Sequence, residues 1–173
     1  MKKYIPNMYK KNIFEVNYDK LKKNGIKCLI FDLDNTLTAI DNDIPEKKVV
    51  NLIEKLKKNF DIWILSNNSN KKRIDKVSNA LKIDYISFAI KPFSFGFKKI
   101  LKETTFKKKE LCIIGDQIMT DVLGGNSFGI YTVLVEPIGV KDLKITSFNR
   151  FLEDRKVAKM NKLGLFKKGE FYE

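Results

Sequence analysis

Short apolar runs alternate with longer stretches of mixed polarity along this chain. Five of these runs are bounded by polar or turn-forming residues and have the length of buried β-strands. They lie at 26–33, 60–65, 85–89, 111–114 and 131–135. Between the runs, apolar positions recur at helical spacing. The predicted helix that opens at Pro45 has an apolar stripe made of Val49, Val50, Leu52, Ile53 and Leu56. The pattern predicts an α/β fold: a doubly wound (Rossmann-like) parallel five-stranded sheet with helices on both faces.

The predicted elements divide the chain into a central core and two flanking segments. Residues 1–26 are basic, carry scattered apolar positions, and predict one or two short helices. Residues 27–140 hold the predicted sheet, and residues 141–173 include a predicted amphipathic helix at about 147–163. The apolar and basic positions of that helix include Phe148, Phe151, Leu152, Met160, Arg150, Arg155, Lys156, Lys159 and Lys162. A length of 173 residues suits one domain, so we expect the three parts to form one domain overall.

The net charge of +13 is concentrated at the two ends of the chain. Residues 1–27 hold 8 Lys or Arg against 2 Asp or Glu, and residues 141–173 hold 9 against 5. Residues 28–140 are closer to balance, with 17 against 14. Basic ends favour an anionic partner such as a phosphate ester, a nucleic acid or an anionic lipid surface. A solvated lysine-rich surface explains the same charges, so both interpretations stay open.

Several classes of protein are excluded by composition. The chain has no histidine, which excludes Ser-His-Asp and Cys-His triads and any His-ligated metal site. Cys28 and Cys112 lie in predicted strands, with a spacing that fits no zinc pattern, and we expect both in the core. No apolar run is long enough for a transmembrane helix, and the N-terminus lacks the apolar core of a signal peptide. We therefore expect a cytoplasmic or peripheral membrane protein.

Polar side chains follow four of the predicted strands. They are Asp32 and Asp34, Ser66 and Asn67, Lys91, and Asp116 with Asp121. Because the carboxyl ends of parallel strands meet at one edge of a sheet, these side chains should converge there. Crowded carboxylates need a cation, and an all-oxygen set without His or Cys favours Mg²⁺. The Lys91 ammonium and the Ser66 hydroxyl suit the binding of a phosphoryl group. Taken singly, each of these residues could instead be an ordinary turn, cap or surface residue.

These residues resemble the four motifs of the haloacid dehalogenase (HAD) superfamily of phosphohydrolases, in the same order. The string Asp32-Leu33-Asp34-Asn35-Thr36-Leu37 is similar to the first motif. Ser66 resembles the second motif, Lys91 the third, and Gly115-Asp116 with Asp121 the fourth. Four motifs in register, each at a predicted strand end, are far more specific than one Asp-x-Asp.

The resemblance implies a role for each residue. Asp32 would attack phosphorus and form an aspartyl-phosphate, and Asp34 would act as the acid and then as the base. Mg²⁺ would be held by Asp32, the backbone carbonyl of Asp34, and Asp116, with Asp121 as a ligand or as an anchor behind one. The phosphoryl group would be bound by Thr36, Ser66, Asn67 and Lys91.

The spacing of the motifs leaves no room for the cap domain that closes many HAD sites. Between Leu37 and Ser66 only a loop, one helix and a strand fit, and between Ser66 and Lys91 only a helix and a strand fit. We therefore expect an open site, which suits a phosphate carried on a protein, a nucleic-acid end or a lipid headgroup.

The motif strings also resemble the capless branch related to phosphatidylglycerophosphate phosphatases. This resemblance implies hydrolysis of phosphatidylglycerophosphate to phosphatidylglycerol, with an anionic phospholipid as partner. The basic ends would dock on anionic lipid, at about 1 kcal/mol per basic residue near the surface. Phe93, Phe95 and Phe97 follow Lys91 and could contact acyl chains, although packing in the core is the favoured expectation.

Two other functions remain open from the sequence. The first is a phosphatase of soluble phosphate esters, phosphoproteins or nucleic-acid ends. The second is a basic nucleic-acid-binding or ribosome-associated module with a vestigial site. The complete motif set argues against the second, and no aromatic platform for stacking bases is evident.

Overall fold

Six parallel strands form the sheet of this protein. The computed structural model describes residues 1–139 and 144–173, with side chains described outside positions 144–150. The strands are β1 (Met8–Lys10), β2 (Cys28–Phe31), β3 (Asp61–Leu65), β4 (Asp84–Ile86), β5 (Leu111–Gly115) and β6 (Tyr131–Val135). They lie in the order β1-β6-β5-β2-β3-β4, and each neighbouring pair is parallel. The predicted doubly wound parallel sheet is confirmed.

Helices connect the strands and cover both faces of the sheet. They are α1 (Tyr18–Lys23), α2 (Lys47–Leu56), α3 (Lys71–Leu81), α4 (Phe95–Glu103), α5 (Leu123–Phe128) and α6 (Lys144–Lys162). A π-helical turn, Ile118–Val122, leads directly into α5. The connection from β2 to β3 holds a loop and α2, and the connection from β3 to β4 holds α3. Within residues 1–139, no cap domain is inserted at either place.

The prediction of five strands is wrong by one, because it misses β1. This strand has three residues, too few for an alternating pattern to stand out from its basic surroundings. It forms because β6 offers an open edge: the Asn7 N–H donates to the carbonyl of Thr132 at 3.0 Å, and the Asn7 side chain bonds Thr132 as well. The predicted helical N-terminal segment is thus a 3₁₀ turn (Lys2–Tyr4), β1 and the short α1.

Alternate residues of the central strands point to opposite faces of the sheet. Leu29 and Phe31 of β2 pack with α2 and α3, whereas Cys28 and Ile30 pack with α4 and α5. All four are fully buried, as is Cys112 of β5. The strands are therefore covered on both sides, which explains why they read as continuous apolar runs. Both cysteines are free core residues, as predicted.

The C-terminal segment packs against the β1 edge of the sheet. Met160 of α6 and Phe166 are buried with Tyr9 of β1 in one apolar cluster. Tyr172 then pairs with Tyr9 in an antiparallel bridge, so the chain end covers the outer edge of β1. The side chains of Phe148 and Arg150 and the boundary between residues 140 and 141 lie outside the described residues. Among the helices that the structure describes, none combines the length and the apolar character needed to cross a bilayer.

Met160→Ala tests whether the C-terminal segment is part of the cooperative fold. Met160 is fully buried, so its truncation should lower the free energy of unfolding by about 2–5 kcal/mol. Leu163→Ala, three residues on at a 56% exposed position, is the matched control and should change it by at most about 0.5 kcal/mol. Equal effects in urea unfolding would show that this segment is not part of the cooperative unit.

Candidate active site

Charged and polar side chains from four strand ends meet at the carboxyl edge of the sheet. Asp32 follows the last residue of β2, Ser66 follows β3, and Asp116 follows β5. Lys91 comes from the loop between β4 and α4. Because β5, β2, β3 and β4 are neighbours in the sheet, residues far apart in sequence converge here.

Three buried carboxylates form the centre of this site. Oxygens of Asp32, Asp116 and Asp121 lie within 4.8 Å of one another. The Lys91 ammonium lies between two of them, 2.5 Å from Asp32 Oδ1 and 2.7 Å from Asp121 Oδ1. The three carboxylates are close enough together for their oxygens to bind a single cation. An all-carboxylate donor set of this kind fits Mg²⁺.

The burial of the site changes the proton affinity of its groups. Burial raises the pKa of the Asp32 carboxyl to about 7; Lys91 opposes the shift, whereas the charges of Asp121 and Asp34 add to it. Burial by itself would lower the pKa of Lys91, but the attraction of Asp121 and Asp32 outweighs burial and raises it. Lys91 therefore stays charged, while Asp32 needs further positive charge to be fully ionised at neutral pH.

Local backbone structure places Asp121 against Asp116. The π-helical turn after β5 brings the Asp121 carboxylate back over the strand end, where Oδ2 accepts the Gln117 N–H at 3.1 Å. A Cβ on Gly115 would lie 2.3 Å from Asp121 Cγ, so the strand must end in glycine for the carboxylate to fit. Thr36 Oγ1 lies 3.4 Å from Asp116 Oδ1, which links the loop after β2 to the loop after β5.

Asn67 holds the backbone of Lys91 from both sides. Its Nδ2 donates to the carbonyl of Lys91 at 3.0 Å, and its Oδ1 accepts the Lys91 N–H at 2.7 Å. Its predicted role in binding phosphate stays a prediction, since this amide also fixes the position of the lysine. Ser66, the other predicted residue of this loop, is buried and accepts the Asn68 N–H on its Oγ at 3.1 Å.

Asp34 is held by two residues that the sequence did not indicate. Asn68 Nδ2 donates to Asp34 Oδ2 at 2.9 Å, and Arg73 donates to Asp34 Oδ1. Arg73 is only 5% exposed and also donates to Thr38 Oγ1 at 2.7 Å and to the carbonyl of Ala39 at 2.9 Å. The sequence does contain one indication of this role. Arg73 lies directly before Ile74, a residue of the apolar stripe of α3, and a cation is not expected so close to that buried face. The guanidinium therefore ties α3 to the loop that carries Asp34.

Comparison with known proteins assigns the chain to a family. The chain matches the family model described as "Mitochondrial PGP phosphatase" over residues 1–140. The chain belongs to this PGP phosphatase family. The matched residues include every strand of the sheet and all eight residues predicted for the site.

Two relatives support the assignment of this PGP phosphatase family member. It is 37% identical to "Probable phosphatase YqeG" of Bacillus subtilis (strain 168) over 162 residues, which span 93% of this chain and 94% of the relative. It is 29% identical to "Phosphatidylglycerophosphate phosphatase 1, chloroplastic/mitochondrial" of Arabidopsis thaliana over 143 residues, which span 78% of this chain and 41% of the plant protein. The protein is a phosphatase of the HAD type, as the four motifs predicted.

Two solved structures show the same fold at low sequence identity. An uncharacterised protein from Listeria monocytogenes serotype 4b superposes with a TM-score of 0.57 at 20% identity, covering 68% of this chain and 85% of that one. The HAD-hydrolase YfnB of Bacillus subtilis, solved with bound magnesium, superposes with a TM-score of 0.52 at 16% identity, covering 69% and 90%. The HAD-like architecture of this PGP phosphatase family member is thereby confirmed.

Asp32→Asn should stabilise this PGP phosphatase family member at neutral pH when metal is absent. The carboxyl pKa is about 7 in the fold but near 4 in the unfolded chain, so wild-type stability falls as pH rises through this window. Asparagine has no proton to lose, and the melting temperature should exceed that of the wild type by about 2–4 °C per kcal/mol of cost removed. Thermal melts in EDTA should show the gain growing from about pH 5 to about pH 8. A gain that is absent at neutral pH, or that shrinks as pH rises, would contradict the raised pKa.

Proposed function

We propose that this protein is a Mg²⁺-dependent phosphomonoester hydrolase that forms an aspartyl-phosphate on Asp32. We further propose that its substrate is phosphatidylglycerophosphate, which it converts to phosphatidylglycerol and phosphate. The buried group of Asp32, Asp116, Asp121 and Lys91 supports the reaction type. It combines a candidate nucleophile, a cluster of carboxylates suited to a divalent cation, and a fixed ammonium.

The reaction begins with attack of an Asp32 carboxylate oxygen on the phosphorus atom. The bond from phosphorus to the ester oxygen breaks, and Asp34 gives its proton to the departing alkoxide. Asp34 then takes a proton from water, the hydroxide attacks the phosphorus of the acyl phosphate, and phosphate leaves as Asp32 is restored. The two aspartates therefore have separate duties although they are two residues apart.

The residues that would hold Mg²⁺ are Asp32, the backbone carbonyl of Asp34, Asp116 and Asp121. When bound, the ion supplies positive charge that keeps Asp32 ionised and screens the charge of the phosphoryl oxygens. Asp121 also bonds Lys91 and the Gln117 N–H, which suits an anchor behind the ligands as well as a ligand.

Three side chains would bind the phosphoryl oxygens and stabilise the transition state. Lys91 is buried and already charged, so its ammonium needs little reorganisation when negative charge develops on the phosphoryl group. Ser66 Oγ accepts the Asn68 N–H, which orients its hydroxyl hydrogen for donation. Thr36 Oγ1 lies 3.4 Å from Asp116 Oδ1, and its hydroxyl would donate to a phosphoryl oxygen. Asn67 contributes by holding Lys91.

A lipid substrate is supported by the open site and by the charge of the protein. No cap covers the carboxyl edge within residues 1–139, so a phosphate carried on a large or membrane-bound molecule can approach. The net charge of +13 favours an anionic partner, and the plant relative is named for phosphatidylglycerophosphate. We propose a peripheral protein that works at the surface of a membrane containing anionic lipid.

Asp32→Asn should abolish phosphate release without loss of the fold. We expect wild-type protein with Mg²⁺ to release phosphate from phosphatidylglycerophosphate faster than from a phosphopeptide, a 3′-phosphorylated oligonucleotide or glycerol phosphate. The variant should lose about a thousandfold or more of this activity, because the nucleophile is gone. Asp84→Asn, at the exposed amino end of β4, is the matched control and should stay within about twofold of the wild type.

The panel separates the two parts of the proposal. Activity that survives in Asp32→Asn or in excess EDTA would overturn the mechanism. Loss of activity in this variant together with a preference for another ester would retain the mechanism and replace the lipid substrate.

Arg73→Met should lower kcat through its effect on Asp34. Because Arg73 orients the Asp34 carboxylate, we expect kcat to fall about tenfold or more while KM changes little. If Arg73 acts through Asp34, the double variant Asp34→Asn/Arg73→Met should be no slower than Asp34→Asn alone. Lys76→Met removes an exposed cation of the same helix and is the control. Additive losses in the double variant would contradict the positioning role.

A further inference from the structure

Exposed apolar side chains are concentrated at the edge of the sheet that carries the active site. Twelve large apolar side chains are exposed among the residues whose side chains the structure describes. Seven lie in or directly beside loops that follow a strand, which places them at the carboxyl edge: Phe14, Ile44, Phe88, Ile90, Phe93, Phe95 and Ile138. Four of these seven belong to one loop, residues 87–95, which also supplies Lys91. We refer to residues 87–95 as the apolar loop.

The side chains of the apolar loop alternate between exposed and buried positions. Phe88 and Phe93 are 61% and 69% exposed, and Ile90 is 44% exposed. Ala89 and Lys91, between them, are buried. At no more than about 3.6 Å per residue, the three exposed side chains start within about 11 Å of the Lys91 Cα. The expectation that Phe93 and Phe95 pack in the core is wrong, and Phe97 alone of the three aromatics is buried.

Hydrogen bonds fix the backbone of this loop while its large side chains face solvent. Ala89 N–H donates to the carbonyl of Ser66 at 3.0 Å, Phe93 N–H donates to that of Ile90 at 2.9 Å, and Asn67 clamps Lys91. Phe88 and Ile90 have φ of 50° and 56°, a left-handed conformation that is unfavourable for a β-branched residue. Strain of this kind persists where the surroundings enforce it. In this loop the left-handed backbone at Phe88 and Ile90 accompanies burial of Ala89 and Lys91 and exposure of the Phe88 and Ile90 side chains.

The charge around the apolar loop is positive. Residues 87–102 contain no Asp or Glu. Lys98 and Lys99 are exposed at the start of α4, and Lys99 Nζ lies 4.4 Å from the centre of the Phe95 ring. Lys71 and Lys72 are exposed at the start of α3, after the loop that clamps Lys91.

Carboxylates on the other side of the site have their own partners. Asp43, in the loop before α2, is paired with Lys76 at 2.7 Å. Glu46, next to the same helix, is paired with Lys48 at 2.9 Å. The edge therefore combines outward aromatic groups with an excess of cations beside them.

We propose that the apolar loop docks this protein on an anionic phospholipid bilayer, with Phe88, Ile90, Phe93 and Phe95 inserted among the lipids. Lys98 and Lys99 then lie at the level of the headgroups, where they meet the negative surface charge. This inference rests on the proposed lipid substrate, and it names the surface by which the site reaches it. Because Lys91 belongs to the inserted loop, docking brings the reactive carboxylate to the headgroup whose phosphate is to be removed.

The inference differs from docking through the basic ends of the chain. At the C-terminal end, Met160 and Phe166 are already used in packing against Tyr9. Phe151 of α6 is 57% exposed beside Arg155, which makes it the matched alternative to the aromatics of the apolar loop. A protein partner or a second copy of this chain is the other possible occupant, and the experiment distinguishes it.

The test is flotation of the full chain with vesicles of phosphatidylcholine, with and without phosphatidylglycerol. We expect binding to the anionic vesicles, and Phe88→Ser/Phe93→Ser should weaken the partition coefficient by about tenfold or more, since two large apolar groups no longer insert. Phe151→Ser should leave it within about twofold. Analytical ultracentrifugation of the same variants reports on self-association.

A second variant keeps the inference testable if the serine variant folds poorly. The protein has one tryptophan, Trp63, which is 8% exposed, so Phe93→Trp adds a reporter in the apolar loop. Its emission should shift to the blue with anionic vesicles and be quenched by brominated acyl chains. A tryptophan that stays in water while the protein is bound would overturn the inference.

The outcomes separate this inference from the proposed function. Loop-dependent vesicle binding without hydrolysis of phosphatidylglycerophosphate would support the docking surface and refute the substrate. Hydrolysis in bilayers with vesicle binding that depends on Phe151 and not on Phe88 and Phe93 would support the substrate and overturn the docking surface. A change of oligomeric state in Phe88→Ser/Phe93→Ser with unchanged vesicle binding would identify the loop as a protein interface and would also overturn it.

Discussion

The ammonium of Lys91 between Asp32 and Asp121 is the interaction on which the rest of the site depends. Burying three carboxylates together is unfavourable unless positive charge compensates for it. Lys91 supplies positive charge from inside the protein, and under the proposed function a bound cation would supply more. Burial raises the pKa of Asp32 to about 7, and under the proposed function a bound cation would lower it again, which would couple the ionisation of the proposed nucleophile to metal binding.

This arrangement constrains the backbone at several distant points. Lys91 can reach both carboxylates because Asn67 fixes its peptide group and because Phe88 and Ile90, which precede it, adopt a left-handed backbone conformation. Asp121 can reach Lys91 because Gly115 leaves space at the end of β5. The parallel sheet supplies the common frame: strand ends that are far apart in sequence become neighbours, and each contributes one polar group to the same small volume.

The sequence predicted the parallel sheet and the convergence of the strand-end carboxylates, for physical reasons. Strands buried on both faces read as apolar runs, and the carboxyl ends of neighbouring parallel strands lie at one edge of the sheet. The same logic could not find β1, because Met8–Lys10 becomes a strand only through the open edge of β6. Sequence reasoning also missed Arg73, because the contact between its guanidinium and Asp34 is visible only in the folded structure. For Phe93 and Phe95, apolar character suggested burial, whereas a constrained loop turns them to solvent.

The edge position of β1 has a consequence for how the chain acquires its structure. Met8 pairs with Val133, and Tyr9 is then covered by Tyr172, so the first strand finds its neighbours only after almost all of the sequence exists. We expect β1 to join the sheet after the central strands have assembled, because strand pairing between segments this distant in sequence is slow. Until β1 pairs with it, β6 is an edge strand whose unpaired backbone groups can form non-native strand pairs.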